Sequence, residues 1–175
     1  MTPSYLALAL AIGLGIAQAP APRPTPDIHY VPTSNGVTDA MLKLAKVTPQ
    51  DVVYDLGSGD GRIVIAAAKK YGARGVGVEL DPDLIKQAKK NAQKAGVADK
   101  VTFIQGDLFK ADLSDATVVT LFLSQSINQR IEPKLKRELK PGTRVVSHRF
   151  PMPPDWKPDK DIAAHGTHVL LWTIR

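Results

Sequence analysis

Cysteine is absent from the 175-residue chain. Disulfide bonds, thiolate zinc sites and cysteine nucleophiles are therefore excluded, and the redox compartment cannot be inferred from cysteine usage. The four histidines form neither an HxxxH nor an HExxH pattern, so the sequence predicts no metal site. Aromatic residues make up only 6% of the chain.

Basic residues outnumber acidic ones, giving a formal net charge of +6. That charge suits an acidic partner surface or nucleic acid but requires neither. The basic residues cluster on two predicted helices, with Lys86, Lys89, Lys90 and Lys94 on one and Lys134, Lys136, Arg137 and Lys140 on the other. Each cluster fits a solvated face, an RNA-binding face or attraction to anionic lipid headgroups. Nucleic acid is the weaker candidate, because no aromatic residues are interleaved to stack bases.

The N-terminus is apolar and uncharged from Tyr5 to Ala17, followed by a proline-rich stretch. This apolar run is shorter than the roughly 20 residues that usually span a bilayer, so a cleaved signal peptide competes with an uncleaved anchor. Lysine and arginine are missing before the run, and Pro20 directly follows the small-residue site Ala17-Gln18-Ala19, which argues against cleavage. We therefore predict residues 1–19 as an anchor or signal, 20–29 as a stiff linker and 30–175 as the folded domain.

Strand-like and helix-like segments alternate through the domain. Short apolar strands are predicted at 52–56, 75–80, 101–105, 117–123 and 144–147, with helices between them, the last at 127–139, and a C-terminal hairpin at 161–175. This order predicts an α/β fold: a mostly parallel sheet with helices on both faces and an antiparallel C-terminal hairpin. Ligands bind such sheets at the carboxyl ends of the strands.

The loop after the first strand reads DLGSGDGR, from Asp55 to Arg62. Gly57 and Gly59 match the start of a dinucleotide-binding GxGxxG, but Arg62 stands where the third glycine belongs. No Gly-Lys-Ser/Thr follows, which excludes a P-loop, and the carboxylates of Asp55 and Asp60 are unfavourable to a pyrophosphate.

Acidic residues follow three consecutive predicted strands, at Asp55, Glu79 and Asp107. This arrangement suits a ligand with cationic groups and no phosphate, such as S-adenosylmethionine. Glycines let the ligand approach the backbone closely. Glu79 follows the loop at about the chain separation at which a carboxylate binds a ribose diol, and Asp107 can accept a hydrogen bond from the adenine amine. The alternative is that Glu79 and Asp107 are helix caps or solvated turn residues.

The stretches DLGSGDG, GVGVELD and FIQGDL resemble motifs I, post-I and II of the Rossmann-like class I S-adenosylmethionine-dependent methyltransferases. More narrowly, the segment from Tyr30 to Thr33, VVYDLGSGDGRIVIAAA and LKRELKPGTRVVSHRFPM resemble a small family of membrane-associated protein-lysine methyltransferases. Mitochondrial members of that family modify the c-subunit of ATP synthase and the adenine nucleotide translocase. The resemblance extends from about Tyr30 to Arg175.

The resemblance implies a set of cofactor-binding residues: Tyr30, Thr33, Asp55, Gly57, Ser58, Gly59, Asp60, Gly61, Glu79, Leu80, Gly106, Asp107 and Leu108. Residues 30–33 would fold over the cofactor as a lid, or else form an ordinary connector. Ser124 and Gln125 are candidates for orienting the acceptor; alternatively, Ser126 caps the next helix and its neighbours merely end a strand. No Asp/Asn-Pro-Pro-aromatic motif follows the fourth strand, which disfavours adenine or glutamine amides as acceptors.

The leading functional hypothesis is N-methylation of lysine in a membrane-associated protein. The alternatives are a methyltransferase for RNA or a small molecule, and a non-catalytic S-adenosylmethionine-binding module. Because S-adenosylmethionine is made and kept in the cytosol, we expect an uncleaved N-terminal segment to hold the catalytic domain at the cytoplasmic side of the membrane. The alternative is export after signal cleavage.

Overall fold

The computed structural model describes residues 30–175, and the predicted anchor or signal and linker lie outside the described residues. The elements are α1 (Asn35–Leu44), β1 (Val52–Leu56), α2 (Arg62–Tyr71), β2 (Arg74–Glu79), α3 (Pro82–Ala95), β3 (Val101–Gln105), β4 (Val118–Leu121), α4 (Gln125–Glu138), β5 (Arg144–His148), β6 (Lys160–Ala164) and β7 (Thr167–Thr173). Within this part of the chain, no helix is long and apolar enough to cross a membrane.

Within residues 30–175, seven strands form one sheet in the order β3-β2-β1-β4-β5-β7-β6. The first five strands are parallel, whereas β7 runs antiparallel to both β5 and β6. This confirms the predicted α/β class and the antiparallel C-terminal hairpin. The hairpin turn is tight because His165 and Gly166 both adopt positive φ, at 50° and 78°.

The core occupies both faces of the sheet. Every residue of β1 is buried, as expected for a central parallel strand covered by helices on each side. One face packs Leu121 against Ile131 of α4 and Trp172 of β7. The opposite face packs Val53 against Met41 and other residues of α1 and α2.

Helix ends follow local capping chemistry. Asp81 caps α3 by accepting from the Asp83 amide at 2.8 Å, Pro82 occupies the first helical turn, and Gly96 ends the helix in the left-handed conformation. The predicted start of α4 at 127 was wrong. Ser124 is the N-cap, accepting from the Ile127 amide at 3.3 Å, so the helix begins two residues earlier and β4 ends at Leu121.

The parallel register aligns the carboxyl ends of neighbouring strands. Leu56 of β1 pairs with Val78 of β2 on one side and Leu121 of β4 on the other. Glu79 pairs with Gln105 of β3. The residues that leave these strands therefore meet at one rim of the sheet.

A largely buried ion pair lies at the amino ends of the parallel strands, opposite the rim. The Arg144 guanidinium binds the carboxylate of Asp51 and donates to the Ala45 carbonyl at 2.7 Å, joining β5 to the segment after α1. Burial raises the pKa of Asp51, but hydrogen bonds from Thr117, Thr48 and Arg144 outweigh it and leave that pKa below its ordinary value. Asp51 is thus held as a buried carboxylate that needs its partners.

We predict that Arg144→Met destabilises the fold by about 2–4 kcal/mol, because it removes the cationic partner of the Asp51 carboxylate, whose side chain is only 7% exposed. Urea unfolding monitored by circular dichroism measures the change. Arg175→Met is the matched control, since Arg175 pairs with Asp159 while 86% exposed and its loss should have little effect. Equal midpoints for both variants would contradict the prediction.

Candidate functional site

A cavity of about 510 Å³ opens at the carboxyl ends of β1 to β4. Its walls come from residues 30–33, the four strand ends with their loops, and the start of α4. The lining includes eleven of the predicted cofactor-binding residues: Tyr30, Thr33, Asp55, Gly57, Ser58, Asp60, Glu79, Leu80, Gly106, Asp107 and Leu108. The structure therefore brings together residues that are far apart in the sequence.

The glycine loop after β1 is held by the neighbouring strand. The amides of Gly57 and Ser58 both donate to the Val78 carbonyl, at 2.8 and 3.0 Å. Gly57 and Gly59 have φ of 79° and 53°, a conformation that side-chain-bearing residues rarely adopt. A Cβ at Gly59 would collide with the Tyr30 ring, so this glycine lets residues 30–33 lie directly on the loop.

Gly61 has a different task from the other loop glycines. It precedes α2 with φ of 78°, and a Cβ there would lie 2.6 Å from the Phe103 ring and 3.0 Å from Ala88. Gly61 therefore allows α2, α3 and β3 to pack closely. Neither Gly59 nor Gly61 is part of the cavity lining, and Gly61 supports the loop from behind.

Glu79 connects the first two strand ends. Its Oε2 accepts from the Gly59 amide at 2.9 Å, and its Oε1 accepts from the amides of Leu80 and Asp81 at 2.7 and 3.0 Å. These bonds fix the carboxylate at the rim and join the glycine loop to the start of α3. Each carboxylate oxygen has two acceptor sites, so Oε1 is fully used and Oε2 keeps one site for a ribose hydroxyl.

Asp55 is the most perturbed acid of the site. It is only 3% exposed, and its Oδ1 accepts from the Thr120 hydroxyl at 2.7 Å. Burial raises its pKa to about 7, the Thr120 hydrogen bond opposes this, and the nearby charges of Glu79 and Asp60 raise it further. A cationic ligand in the cavity would favour the ionised form of this carboxylate.

Asp60 does not contribute a free negative charge. Its Oδ1 and Oδ2 accept from Nε and Nη2 of Arg62 at 2.9 and 2.7 Å. Burial raises the pKa of Asp60, but the bonds and charge of Arg62 outweigh it, so that pKa lies below its ordinary value. Pattern reasoning missed this pair, because it placed Arg62 at the start of α2 without assigning its side chain a partner.

Arg62 also holds residues 30–33 over the glycine loop. Arg62 Nη1 donates to the Thr33 carbonyl at 2.9 Å, and Nη2 lies 3.5 Å from the Tyr30 hydroxyl. Burial and the Asp60 charge raise the pKa of Tyr30. Residues 30–33 thus form one wall of the cavity. The lid hypothesis remains a prediction about their movement.

Asp107 begins a turn at the end of β3, where its Oδ1 accepts from the Phe109 amide at 2.9 Å. Its second carboxylate oxygen is available to accept from an exocyclic amine. The guanidinium of Arg130, on α4, lies 4.4 Å from the centre of the Phe109 ring, and both residues line the cavity. Pattern reasoning also missed Phe109 and Arg130, because only the packing of α4 on this turn brings them to the site.

Ser124 and Gln125 lie at the start of α4 and outside the cavity lining. The Ser124 hydroxyl is engaged in capping the helix and lies 3.0 Å from the Ser126 hydroxyl. The residues that β4 directs toward the cavity are instead Phe122 and Leu123. The assignment of Ser124 and Gln125 to acceptor orientation stays a prediction.

The chemistry of the site fits S-adenosylmethionine. Carboxylates stand at three adjacent strand ends, three of the five residues at 57–61 are glycine, and the buried Asp55 favours a cationic ligand. The family model described as the ANTKMT methyltransferase domain matches residues 55–160. The chain belongs to this methyltransferase family.

Named relatives agree with this membership. A protein-lysine N-methyltransferase of Saccharolobus islandicus is 48% identical over 78% of this chain and 85% of the relative. The adenine nucleotide translocase lysine N-methyltransferase of Mus musculus is 42% identical over 75% of this chain, and the ATP synthase c-subunit lysine N-methyltransferase of Homo sapiens is 39% identical over 74%. The chain spans 56% and 54% of these two mammalian relatives.

Solved structures agree on fold and cofactor. An RNA methyltransferase from Salinibacter ruber in complex with S-adenosyl-L-homocysteine has a TM-score of 0.81 and 60% identity, covering 82% of this chain and 94% of that one. A SAM-dependent methyltransferase from Geobacter sulfurreducens with the same ligand has a TM-score of 0.60 and 28% identity, covering 66% and 48%. The predictions of a class I methyltransferase fold and of S-adenosylmethionine as cofactor are confirmed.

We predict that Glu79→Ala weakens S-adenosylmethionine binding by at least about tenfold, because it removes a charged acceptor and releases the Gly59 amide. Isothermal titration calorimetry measures the dissociation constant. Asp99→Ala removes the same charge from an exposed residue before β3, at the other end of the sheet, and should leave the affinity unchanged. Unchanged affinity in Glu79→Ala would show that the ribose assignment is incorrect.

We predict a pH signature for Asp55. The folded protein holds this proton up to about pH 7, whereas the unfolded chain releases it near 3.8. Its contribution to stability is therefore fully present below about pH 4 and is lost as the pH rises through 7. Unfolding free energies of wild type and Asp55→Asn without ligand should diverge across this interval, with wild type losing roughly 4 kcal/mol relative to the variant. Parallel curves would refute the buried-acid assignment.

Proposed function

We propose that the protein is a protein-lysine N-methyltransferase whose acceptor is a membrane-associated protein. The observation behind this proposal is an asymmetry of the cavity. Its acidic residues belong to the ends of β1, β2 and β3 and their loops, whereas the end of β4 contributes the apolar Phe122 and Leu123. One side of the cavity suits a charged cofactor, and the other suits an aliphatic chain.

The apolar side supplies what a lysine nucleophile needs. The bound cofactor supplies an activated methyl group on a sulfonium. Lysine has an ordinary pKa near 10.4, so at neutral pH it is a protonated ammonium with no lone pair. Desolvation in this apolar part of the cavity disfavours the charged form and lowers that pKa. The attraction of an aromatic face for a cation offsets this effect only in part, and the surrounding walls position the amine and exclude water.

The names of the relatives support lysine as the acceptor. The Saccharolobus islandicus relative is a protein-lysine N-methyltransferase, and the mouse and human relatives are named for the adenine nucleotide translocase and the c-subunit of ATP synthase. An apolar N-terminal segment at residues 1–19, acting as an uncleaved anchor, would hold the catalytic domain near such acceptors on the cytoplasmic side, where the cofactor is made.

RNA is a second candidate acceptor, because the 60% identical Salinibacter ruber neighbour is described as an RNA methyltransferase. The basic residues of α4 argue against it. Lys134 is buried and bonded to Glu138 at 2.5 Å, Lys136 pairs with Glu132, and Arg137 pairs with Glu138. The two carboxylates, Glu132 and Glu138, offset most of the charge of these three cations within the helix, which weakens their attraction for phosphates.

Labelling of separated fractions tests the proposal. Cells that produce the full-length chain are divided into membrane and soluble fractions, and each is incubated with tritiated cofactor, with and without nuclease. We expect the enzyme to sediment with the membranes and the label to enter a membrane protein that yields methylated lysine on acid hydrolysis. Extracts with Glu79→Ala provide the matched control and should show little label.

Other distributions of label would contradict the proposal. Label that nuclease releases would identify RNA as the acceptor, and label in a soluble metabolite would identify a small molecule. Full-length enzyme free in the periplasm would refute the cytoplasmic-side anchor even if lysine is methylated.

A further inference from the structure

We propose that the aromatic side chains at the ends of β4 and β5 form the subsite for the acceptor's alkylammonium group, with Phe122 in direct contact with it. This inference rests on the proposed lysine acceptor and goes further by assigning the residues that hold it. Phe122 lines the cavity, and His148 and Phe150 pack on it from outside the lining; we name these three rings the aromatic wall.

The order of the strands places this wall beside the cofactor site. Going across the sheet, Asp107 follows β3, Glu79 ends β2, Asp55 belongs to β1, and Phe122 follows β4, which pairs with β5. Adjacent strands lie roughly 4.8 Å apart. A ligand with its base near Asp107 and its ribose near Glu79 leaves the β4–β5 side of the rim for the second substrate.

Phe122 packs on both of the other rings. The Phe122 ring stacks on the His148 imidazole with centroids 3.9 Å apart and an angle of 30° between the planes. It also lies nearly parallel to Phe150, at 6.3 Å and 20°. His148 is buried and is not part of the cavity lining, so it supports Phe122 from behind while Phe122 faces the cavity.

Residues 30–33 adjoin the aromatic wall. The Thr33 hydroxyl lies 3.4 Å from Nδ1 of His148, and both Thr33 and Tyr30 line the cavity. The aromatic wall and residues 30–33 therefore meet at one part of the cavity wall.

The electrostatics of the wall suit a methylated ammonium. Burial, assisted by the charge of Arg149, lowers the pKa of His148, so its ring is neutral at physiological pH and does not repel a cation. Phe150 already contacts one cation, since the Arg149 guanidinium lies 5.6 Å from its ring centre. Among the described lining residues, β4 contributes no carboxylate, so aromatic faces are what it offers a cation.

Methylation makes this chemistry increasingly suitable. Each added methyl group removes an N–H donor, and a trimethylated ammonium can donate no hydrogen bond. An aromatic face still attracts it. The wall can therefore accept the mono- and dimethylated forms as well as the starting lysine, which favours successive methylation.

Binding of a small probe tests the wall without relying on turnover. The wild-type protein, saturated with S-adenosylhomocysteine, is titrated with N-acetyl-ε-trimethyllysine methylamide and followed by nuclear magnetic resonance. A second probe has the same shape but carries carbon in place of the charged nitrogen. We expect the cation to bind about three- to thirtyfold more tightly than the neutral probe, and Phe122→Leu to abolish that preference.

Phe109→Leu is the matched control, because it makes the same change at the other end of the same cavity. We expect it to weaken S-adenosylhomocysteine binding while preserving the preference for the cationic probe. Phe122→Leu should keep wild-type affinity for S-adenosylhomocysteine, which also establishes that the variant is folded. Mass spectrometry of the methylated acceptor should show a shift from trimethyl- toward monomethyllysine in Phe122→Leu.

The outcomes separate the two hypotheses. Equal binding of both probes to wild type, or an unchanged preference in Phe122→Leu, would overturn the aromatic wall even if the enzyme methylates lysine. Absence of methyllysine from every fraction labelled by wild type would overturn the proposed function itself, whatever the probes do.

Discussion

The carboxylate of Glu79 is the contact on which the site depends. By accepting from the amides of Gly59, Leu80 and Asp81, it joins the loop after β1 to the start of α3. These bonds therefore fix the distance between the two loops at the rim of the sheet. A charged acceptor makes stronger hydrogen bonds to amides than a neutral one, so the group suited to a ribose also builds the cavity.

Charge is divided unevenly around this framework. Arg62 neutralises Asp60 and uses its remaining donors to hold the segment at Thr33 and Tyr30. Asp55 remains buried without a cationic partner among the described residues, which is why its pKa is high. In the free protein this acid therefore keeps its proton up to about pH 7, and a cationic cofactor would favour its ionised form.

Opposite ends of the cavity perform different chemistry because different strands supply them. Polar turns follow β2 and β3, whereas Phe122 follows β4 and lies against His148 of β5. The order of the parallel strands in the sheet determines where the residues that follow each strand lie along the rim. This separation lets one small domain hold a charged nucleoside and an aliphatic acceptor side by side.

The strand and helix order, the glycine loop and the acids at three strand ends could be predicted from the chain alone, because each depends on local patterns of hydrophobicity, turn residues and charge. Those patterns located Glu79 and Asp107 without their packing partners. The folded arrangement was needed to show that Asp60 is neutralised, that Ser124 caps α4, and that Phe109 meets Arg130 and Phe122 meets His148. Most of these contacts join residues from separate elements, and no local pattern in the chain specifies which side chains a folded sheet brings together.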